Sequence, residues 1–208
     1  GGGGGGGRAA PAGGGGGGGR PAGGGAPPAR PGGGGGGGAS GTGEHALAFA
    51  QAFPGLVWQP TEIAPERRAS IDAWAATQDL PNLLPAADLD ATAPGWGAAR
   101  PGHDLVVLIN LLHLIGTAEA RAILAEIPAA LAPGGRLILY GPFLRDGEAT
   151  SEGDARFHAS LQASDSEIGY KDDFEAIGWL QAGGLALVDV VEMPANNLAI
   201  VAERPAAD

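Results

Sequence analysis

The stretch "DLVVLIN", residues 104–110, decides how the rest of the chain is interpreted. Five apolar residues in a row separate Asp104 from Asn110, so an extended strand here is apolar on both faces. A strand with one face in water alternates instead, and this pattern therefore favours a central parallel strand covered by helices on both sides. Asn110 closes the strand with a polar side chain, which indicates a site or a capped helix at its carboxyl end.

Outward from this strand, helical and extended patterns alternate. Apolar periodicity predicts helices at 44–53, from Pro65 onward, from an N-cap at Thr117 to a Pro-Gly-Gly stop at 133–135, and at 172–185. Short apolar runs predict strands at Leu56–Trp58, within 82–90 and at 136–142, and a hairpin over 185–203 that turns at Pro194–Asn197. This alternation predicts an α/β fold of the Rossmann-like, doubly wound type, with helices on both faces of a mostly parallel sheet.

The N-terminal segment has a different composition. Residues 1–38 hold 24 of the 40 glycines, including three runs of exactly seven. Three interpretations apply: a glycine- and proline-rich coil with nothing to bury, a low-complexity tail, or glycines that stand in for residues of undetermined identity. The identical run lengths favour the third. We therefore expect a glycine-rich segment at 1–38, which includes the first strand, and a folded domain at 39–208.

Composition narrows the function classes. The 208 residues include 12 basic and 23 acidic ones, for a net charge of −11, which argues against non-specific nucleic-acid binding and against an anionic membrane surface. There are no cysteines, so disulfides and thiolate metal sites are excluded, and we expect no metal. No apolar run approaches the roughly 18 residues of a membrane span. The default expectation is a soluble cytoplasmic protein, monomeric or homodimeric.

Loops after the strands are the places where ligands bind in such sheets. The loop Gly41-Thr42-Gly43 opens a helix, where glycine lets a ligand approach and helix N–H groups face it, although a tight turn explains it equally well. Glu62 lies 19 residues after Gly43 and suits the two hydroxyls of a ribose; the alternative is an exposed acid in a turn.

Two further strand ends carry polar groups. Asp90, in "DLD" (88–90), is suited to accept from the exocyclic amine of adenine, while a turn or helix cap is the competing interpretation. His113 follows Asn110 by three residues and is either a base or a packed residue between Leu112 and Leu114. A glycine loop, an acid, a second acid and Asn110 are thus met in the order of contacts that an adenosyl ligand needs.

These motifs resemble a known family. The segments "ASGTGEHALAFA", "WQPTE", "LPNLLPAADLD", "INLLHLI", "LAPGGRLILYGPF" and "VVEMPANNLAIVAERP" are similar to the DUF938 (UPF0585) family, also called methyltransferase-like protein 26, within the class I S-adenosylmethionine (SAM)-dependent methyltransferases. The resemblance implies SAM as cofactor and a seven-stranded sheet of order 3-2-1-4-5-7-6 with strand seven antiparallel. It implies cofactor contacts from Ala39, Ser40, Gly41, Gly43, Glu62, Leu89, Asp90 and Asn110. The family's acid before "ASGTG" falls on Gly37, where this sequence departs from the pattern.

By this resemblance the chain is a methyltransferase that transfers methyl by in-line displacement to a small-molecule or protein acceptor of unknown identity. Candidate bases are His113 and Tyr140, and candidate substrate contacts are Phe143 and Arg145, with the polar segment 146–173 as a lid or substrate-selecting insert. Two other functions stay open: a protein that binds SAM without turnover, and an NAD-dependent oxidoreductase. The terminal hairpin and Ala46, where a third glycine is usual, count against the oxidoreductase.

Overall fold

The structure, a computed structural model, describes residues 43–206. In this range the helices are α1 (Glu44–Ala52), α2 (Pro65–Ala75), α3 (Trp96–Ala99), α4 (Thr117–Ala130), α5 (Glu152–Ser164) and α6 (Asp173–Ala182), with a 3₁₀ turn at Leu112–Leu114. The strands are β1 (Thr61–Glu62), β2 (Ala87–Asp88), β3 (His103–Ile109), β4 (Leu131–Leu144), β5 (Lys171–Asp172), β6 (Ala186–Glu192) and β7 (Asn197–Glu203). The predicted alternation of helices and strands is confirmed. No helix within these residues is long and apolar enough to cross a membrane.

The larger sheet has five strands. Its order is β3-β4-β7-β6, and the short β5 pairs with the end of β4. β3 runs parallel to β4, with Val107 opposite Ile138, whereas β7 is antiparallel to both β4 and β6. The hairpin predicted at the end of the chain is therefore present. Ala195 and Asn196, at its turn, have φ of 57° and 59°, as in a type I′ turn.

A second sheet consists of β1 and β2, which pair in parallel with Glu62 opposite Asp88. The predicted single sheet of order 3-2-1-4-5-7-6 is thus seen as two pieces, β2-β1 and β3-β4-β7-β6, with β5 as an addition. The strand that the sequence places between them, residues 32–38, lies outside the described residues.

Both faces of β3 and β4 in the larger sheet are covered. Alternate residues of β4, among them Leu137, Leu139 and Phe143, are buried in a core cluster that includes residues of α4 and α6. Val107 of β3 faces the other way and joins a smaller cluster with Ala50 of α1 and Trp58. The two-sided burial of β3 explains its unbroken apolar run.

Three local predictions need correction. The strand expected at Leu56–Trp58 is seen as two bridge residues, Leu56 and Trp58. Trp58 pairs in parallel with Leu83, and β1 follows after Pro60, which has no N–H to donate to a ladder. Thr117 is the first residue of α4 and not its N-cap, which is Gly116. The helix stop predicted at 133–135 lies inside β4, because α4 already ends at Ala130. The segment 146–173 contains a regular helix, α5, and its role as a lid or substrate-selecting insert stays a prediction.

β6 is an exposed edge strand. All seven of its residues are exposed, including apolar ones such as Val188 at 46% and Val191 at 40%. Its pairing with β7 is irregular between Leu187 and Asp189, and the Asp189 carboxylate accepts the N–H of Val190 at 2.8 Å. The edge therefore combines apolar side chains with one central charge.

Candidate functional site

Parallel strands end at the same edge of a sheet, so β1 and β2 present their carboxyl ends together in one sheet, and β3 and β4 do so in the other. Glu62 is the last residue of β1, Asp90 follows β2 by two residues, and Asn110 directly follows β3. The structure thus places three of the predicted cofactor contacts after consecutive strand ends.

Glu62 is the most buried acid of the described chain, with 0% exposure. Its Oε1 accepts the N–H of Ala64 at 3.0 Å, which fixes the carboxylate against the start of α2. Its Oε2 is buried and accepts no hydrogen bond from the described residues. Arg67 lies 3.9 Å away, too far for a hydrogen bond. A buried carboxylate oxygen without a donor is costly, and it fits a ligand that supplies hydroxyl donors.

An open depression of about 520 Å³ lies at the carboxyl ends of β1 and β2. It is lined by the segment that follows β2 and by Ile63, which is 48% exposed. The lining includes two of the predicted cofactor contacts, Leu89 and Asp90. The volume and the mixed apolar and acidic lining suit a nucleoside base.

Asp90 is exposed, and its Oδ1 is already engaged. It accepts the Thr92 N–H at 2.9 Å and the Thr92 hydroxyl at 2.6 Å. These hydrogen bonds, that of the side chain first, lower the pKa of Asp90 below its usual range. The turn predicted as the competing interpretation therefore exists, and it holds the carboxylate charged at the rim of the depression.

Trp96 and Ile63 are site residues that the sequence prediction missed. The Trp96 indole N–H donates to the carbonyl of Ala91 at 2.9 Å, which orients the ring at the wall of the depression. Ile63 follows Glu62 directly, so its position after the acid was the available signal. Trp96 lies in "PGWG", which carries no periodic pattern.

Glu126 of α4 supports this wall from behind. Its Oε1 accepts the N–H of Gly95 at 2.7 Å and its Oε2 that of Gly97 at 2.9 Å. A Cβ on Gly97 would lie 2.1 Å from the carbonyl oxygen of Glu126, so only glycine fits. Two N–H groups at the start of α3 are thereby satisfied, and α3 is fixed on α4.

Asn110 has a left-handed backbone, with φ of 51°. Its N–H still donates to the Tyr140 carbonyl at 2.8 Å, and its side-chain oxygen lies against Gly141. Asn tolerates this conformation better than most residues, and such strain concentrates at ligand sites. Tyr140, a candidate base, accepts a hydrogen bond at its hydroxyl from Asn197 Nδ2 at 3.2 Å. Tyr140 of β4 is therefore hydrogen-bonded both to Asn110, directly after β3, and to Asn197, the first residue of β7.

His113 is packed among aromatic rings, as the competing interpretation expected. It is 7% exposed, and its ring lies edge-on to Phe157 of α5 at 6.1 Å and to Tyr170 at 6.0 Å between centroids. Burial, and secondarily the charge of Lys171, lowers the pKa of His113 to about 4. The imidazole is therefore neutral at pH 7, able to accept a proton but a weak base.

The carboxylate of Asp154, in α5, accepts four hydrogen bonds. Its Oδ2 accepts from Ser151 at 2.6 Å, from Asn196 at 2.8 Å and from Thr150 at 3.0 Å, and its Oδ1 accepts from the Tyr170 hydroxyl at 3.1 Å. These hydrogen bonds, led by that of Ser151, lower the pKa of Asp154. Burial, and secondarily Asp154, raises the pKa of Tyr170 to about 12. The hairpin turn, α5 and Tyr170 are thus joined above the sheet edge.

Lys171 is a buried cation beneath this cluster, at 5% exposure. Its Nζ donates to the carbonyls of Ile115 at 2.8 Å and Gly169 at 2.9 Å. Burial lowers its pKa, against the opposing effect of Glu119 and Glu167. Lys171 therefore supports the segment that carries His113.

The low pKa of His113 gives a pH-dependent stability. The unfolded chain takes up a proton near the ordinary pKa of 6.5 and the folded chain only near 4. This contribution is complete above pH 6.5 and is lost as the pH falls towards 4, at up to about 1.4 kcal/mol per pH unit. Urea unfolding at stepped pH should show this slope in the wild type and a shallower one in His113→Gln. The exposed His45→Gln is the control, and an equal slope in all three proteins would contradict the expectation.

The remaining predicted site residues are Phe143, Arg145, Gly43, Ala39, Ser40 and Gly41. Phe143 is 2% exposed and belongs to the core cluster, so little of its side chain is left to touch a substrate. Arg145 lies directly after β4. Gly43 is the N-cap of α1, with φ of 91°, and a Cβ there would lie 3.0 Å from the Cα of Ile71. Ala39, Ser40, Gly41 and Gly37 lie outside the described residues. Within residues 43–206 no group of three metal-ligating side chains comes together.

Comparison with solved structures shows which known fold this chain resembles. An O-methyltransferase family protein from Burkholderia thailandensis superimposes with a TM-score of 0.71 at 18% identity, over 86% of this chain and 52% of that protein. Human N-acetylserotonin methyltransferase in complex with SAM gives 0.68 at 18% identity, over 84% and 48%. PigF with S-adenosylhomocysteine (SAH) gives 0.69 at 21% identity, over 85% and 50%. The chain spans about half the length of these proteins, and at this identity the likeness shows the fold alone.

The α/β fold therefore resembles that of the class I methyltransferases, as the sequence predicted. A family model described as "Protein of unknown function (DUF938)" matches residues 38–204, which is most of the chain. This match confirms the family predicted from the sequence motifs, and the chain belongs to the DUF938 family.

Proposed function

We propose that the chain is a SAM-dependent methyltransferase that acts on a small-molecule or protein acceptor. The observation that carries this proposal is the buried Oε2 of Glu62, which has no donor among the described residues; Glu62 directly precedes Ile63, which lines the depression of about 520 Å³. The presence of SAM or SAH in structures of the same fold supports it.

The residues present fit an adenosyl group. A ribose offers two neighbouring hydroxyl donors, and Glu62 has one carboxylate oxygen without a donor among the described residues. Asp90 would accept from the adenine amine with Oδ2, because Thr92 engages Oδ1. Ile63 and Trp96 would contact the faces of the base. The contacts expected from Ala39, Ser40, Gly41 and Gly43, and the seven-stranded order of the complete sheet, stay predictions.

When bound, SAM supplies a methyl group on a sulfonium, which leaves as a neutral thioether. The chain's contribution is then to hold the acceptor in line and to exclude water. Asn110, strained and adjacent to Tyr140, would border the reacting atoms. His113 is unprotonated at neutral pH, so it is the candidate base if the acceptor must lose a proton.

Calorimetric titration with SAM, SAH and NAD tests the cofactor. We expect binding of SAM and SAH at micromolar concentration and none of NAD. Binding of NAD alone would favour an oxidoreductase, a function that the antiparallel β7 between β4 and β6 disfavours. Binding of none of the three would contradict the proposal.

Turnover separates an enzyme from a protein that only binds SAM. Incubation with methyl-labelled SAM and fractionated cell extract should give labelled product, and Asp90→Ala should reduce the label through weaker cofactor binding. Tight SAH binding without label in any fraction would instead favour the binding protein without turnover.

A further inference from the structure

Arg145 has an incompletely satisfied guanidinium group. Its Nη2 donates to the carbonyl of Asn196 at 3.3 Å, a long hydrogen bond. Its Nη1 is buried and has no partner among the described residues. Of the carboxylates that the structure describes, none lies within 4.0 Å of Arg145. In a chain with 23 acidic and 12 basic residues, a partly buried arginine without an acid is unexpected.

Two acids along this edge are committed to other donors. Asp172 caps α6 by accepting the N–H groups of Phe174 and Glu175, and it accepts the Gly147 N–H at 2.7 Å. Asp154 is engaged by its four donors. Neither carboxylate is free to pair with Arg145. The guanidinium therefore keeps buried N–H groups that no described acceptor satisfies, unlike a saturated ion pair, and a ligand anion would satisfy them.

The carbonyl that Arg145 contacts is held firmly. Ala195 and Asn196 both have positive φ, so the turn has a defined shape, and the Asn196 side chain donates to Asp154 at 2.8 Å. The backbone of Arg145 is tied to the turn after β4, because its main-chain N–H donates to the Glu148 carbonyl at 2.8 Å. A guanidinium on a fixed backbone that also contacts a turn of defined shape is preorganised for a planar anion.

This guanidinium contacts the same hairpin turn that reaches the candidate base Tyr140. Asn197, next to Asn196, donates to the Tyr140 hydroxyl, and Asn110 lies against Gly141. The geometry points to Arg145 as the anion-binding residue of the acceptor site, so that the acceptor is a molecule with a carboxylate or phosphate group. This inference rests on the proposed methyltransferase function. Phe157, 45% exposed beside His113, offers an apolar surface for the body of the same molecule.

Titration of the SAH-loaded protein with three benzene derivatives tests whether Arg145 binds the anionic group of the acceptor. We expect benzoate or phenyl phosphate to bind, benzamide to bind at least 10-fold more weakly, and Arg145→Gln to remove the difference. The stronger of the two anions identifies the acceptor class as a carboxylate or a phosphate. Equal binding of all three compounds, or binding of none, would overturn the inference.

Arg204→Gln is the matched control. Arg204 is also half-buried and also donates to a backbone carbonyl, that of Leu131 at 2.6 Å, but it lies beyond β7 at the opposite edge of the sheet. It should keep the preference for anions. SAH affinity, measured on every variant, distinguishes failure of the proposed function from failure of the role given to Arg145. If the wild type does not bind SAH, the proposed function is refuted. If SAH binds but Arg145→Gln has no effect on the anion preference, only the role of Arg145 is refuted.

Discussion

Glu62→Gln is expected to lower the affinity for SAH by about 100-fold, or about 3 kcal/mol. A carboxylate accepts from both hydroxyls of a ribose, and each such charge-assisted hydrogen bond contributes about 1.5–3 kcal/mol. Glutamine has one acceptor and one donor group at the same place, so its NH₂ would face a hydroxyl that also seeks an acceptor. The site loses more than one hydrogen bond.

The same variant should not unfold the protein. Glu62 is 0% exposed, and its Oε2 accepts no hydrogen bond from the described chain, so a neutral amide of the same shape is less costly to bury. We therefore expect an unchanged or slightly higher Tm for the free protein, together with the loss of affinity. Calorimetry and thermal unfolding measure the two quantities.

Glu66→Gln is the control for Glu62→Gln, because Glu66 is an exposed acid of α2 only four residues further on. It should change neither quantity. A Glu62→Gln protein that binds SAH within threefold of the wild type would exclude Glu62 from the ribose site.

Gly97→Ala is expected to destabilise the folded protein by about 3 kcal/mol or more. The added methyl carbon would lie 2.1 Å from the carbonyl oxygen and 3.0 Å from the carbonyl carbon of Glu126, and backbone atoms cannot swing aside as a side chain does. α3 must then move off α4. Trp96 and the wall of the depression would move with it, so SAH affinity should fall as well.

Gly178→Ala provides a control of opposite sign. Gly178 lies within α6, is exposed, and has no atom within 4 Å of an added Cβ. Alanine there should stabilise the protein by about 1 kcal/mol, since glycine weakens a helix interior. Urea unfolding measures both variants. A Gly97→Ala protein as stable as the wild type would mean that α3 is not held against α4 as the structure shows.

The sequence predicted those features that are encoded within a few neighbouring residues. The apolar run of β3 identified a strand that is buried on both faces, and the position of Glu62 after a strand indicated the buried acid that precedes Ile63. The hairpin that contains the type I′ turn was predicted from the two strands that flank the turn. In each case the determining residues are adjacent in the chain, so periodicity and spacing are sufficient.

Contacts between segments that are far apart in the chain could not be predicted from the sequence. Glu126 holds α3 from 29 positions away, and Asp154 meets Asn196 across 42. α5 was missed for another reason: none of its residues is buried, so it carries no apolar stripe to recognise. Its N-terminus is fixed by polar contacts of Ser151 and Asp154, which look like ordinary surface residues in the sequence.

The edge strand β6 has a consequence for how copies of this protein behave at high concentration. Apolar side chains on an open edge invite a second strand to pair, which is the first step of fibril growth. Asp189 stands in the middle of this edge, next to the irregular pairing at Leu187, and an intruding strand would have to strip water from its carboxylate. We therefore expect this one aspartate to act as a gatekeeper that keeps the other six exposed residues of β6 from templating aggregation.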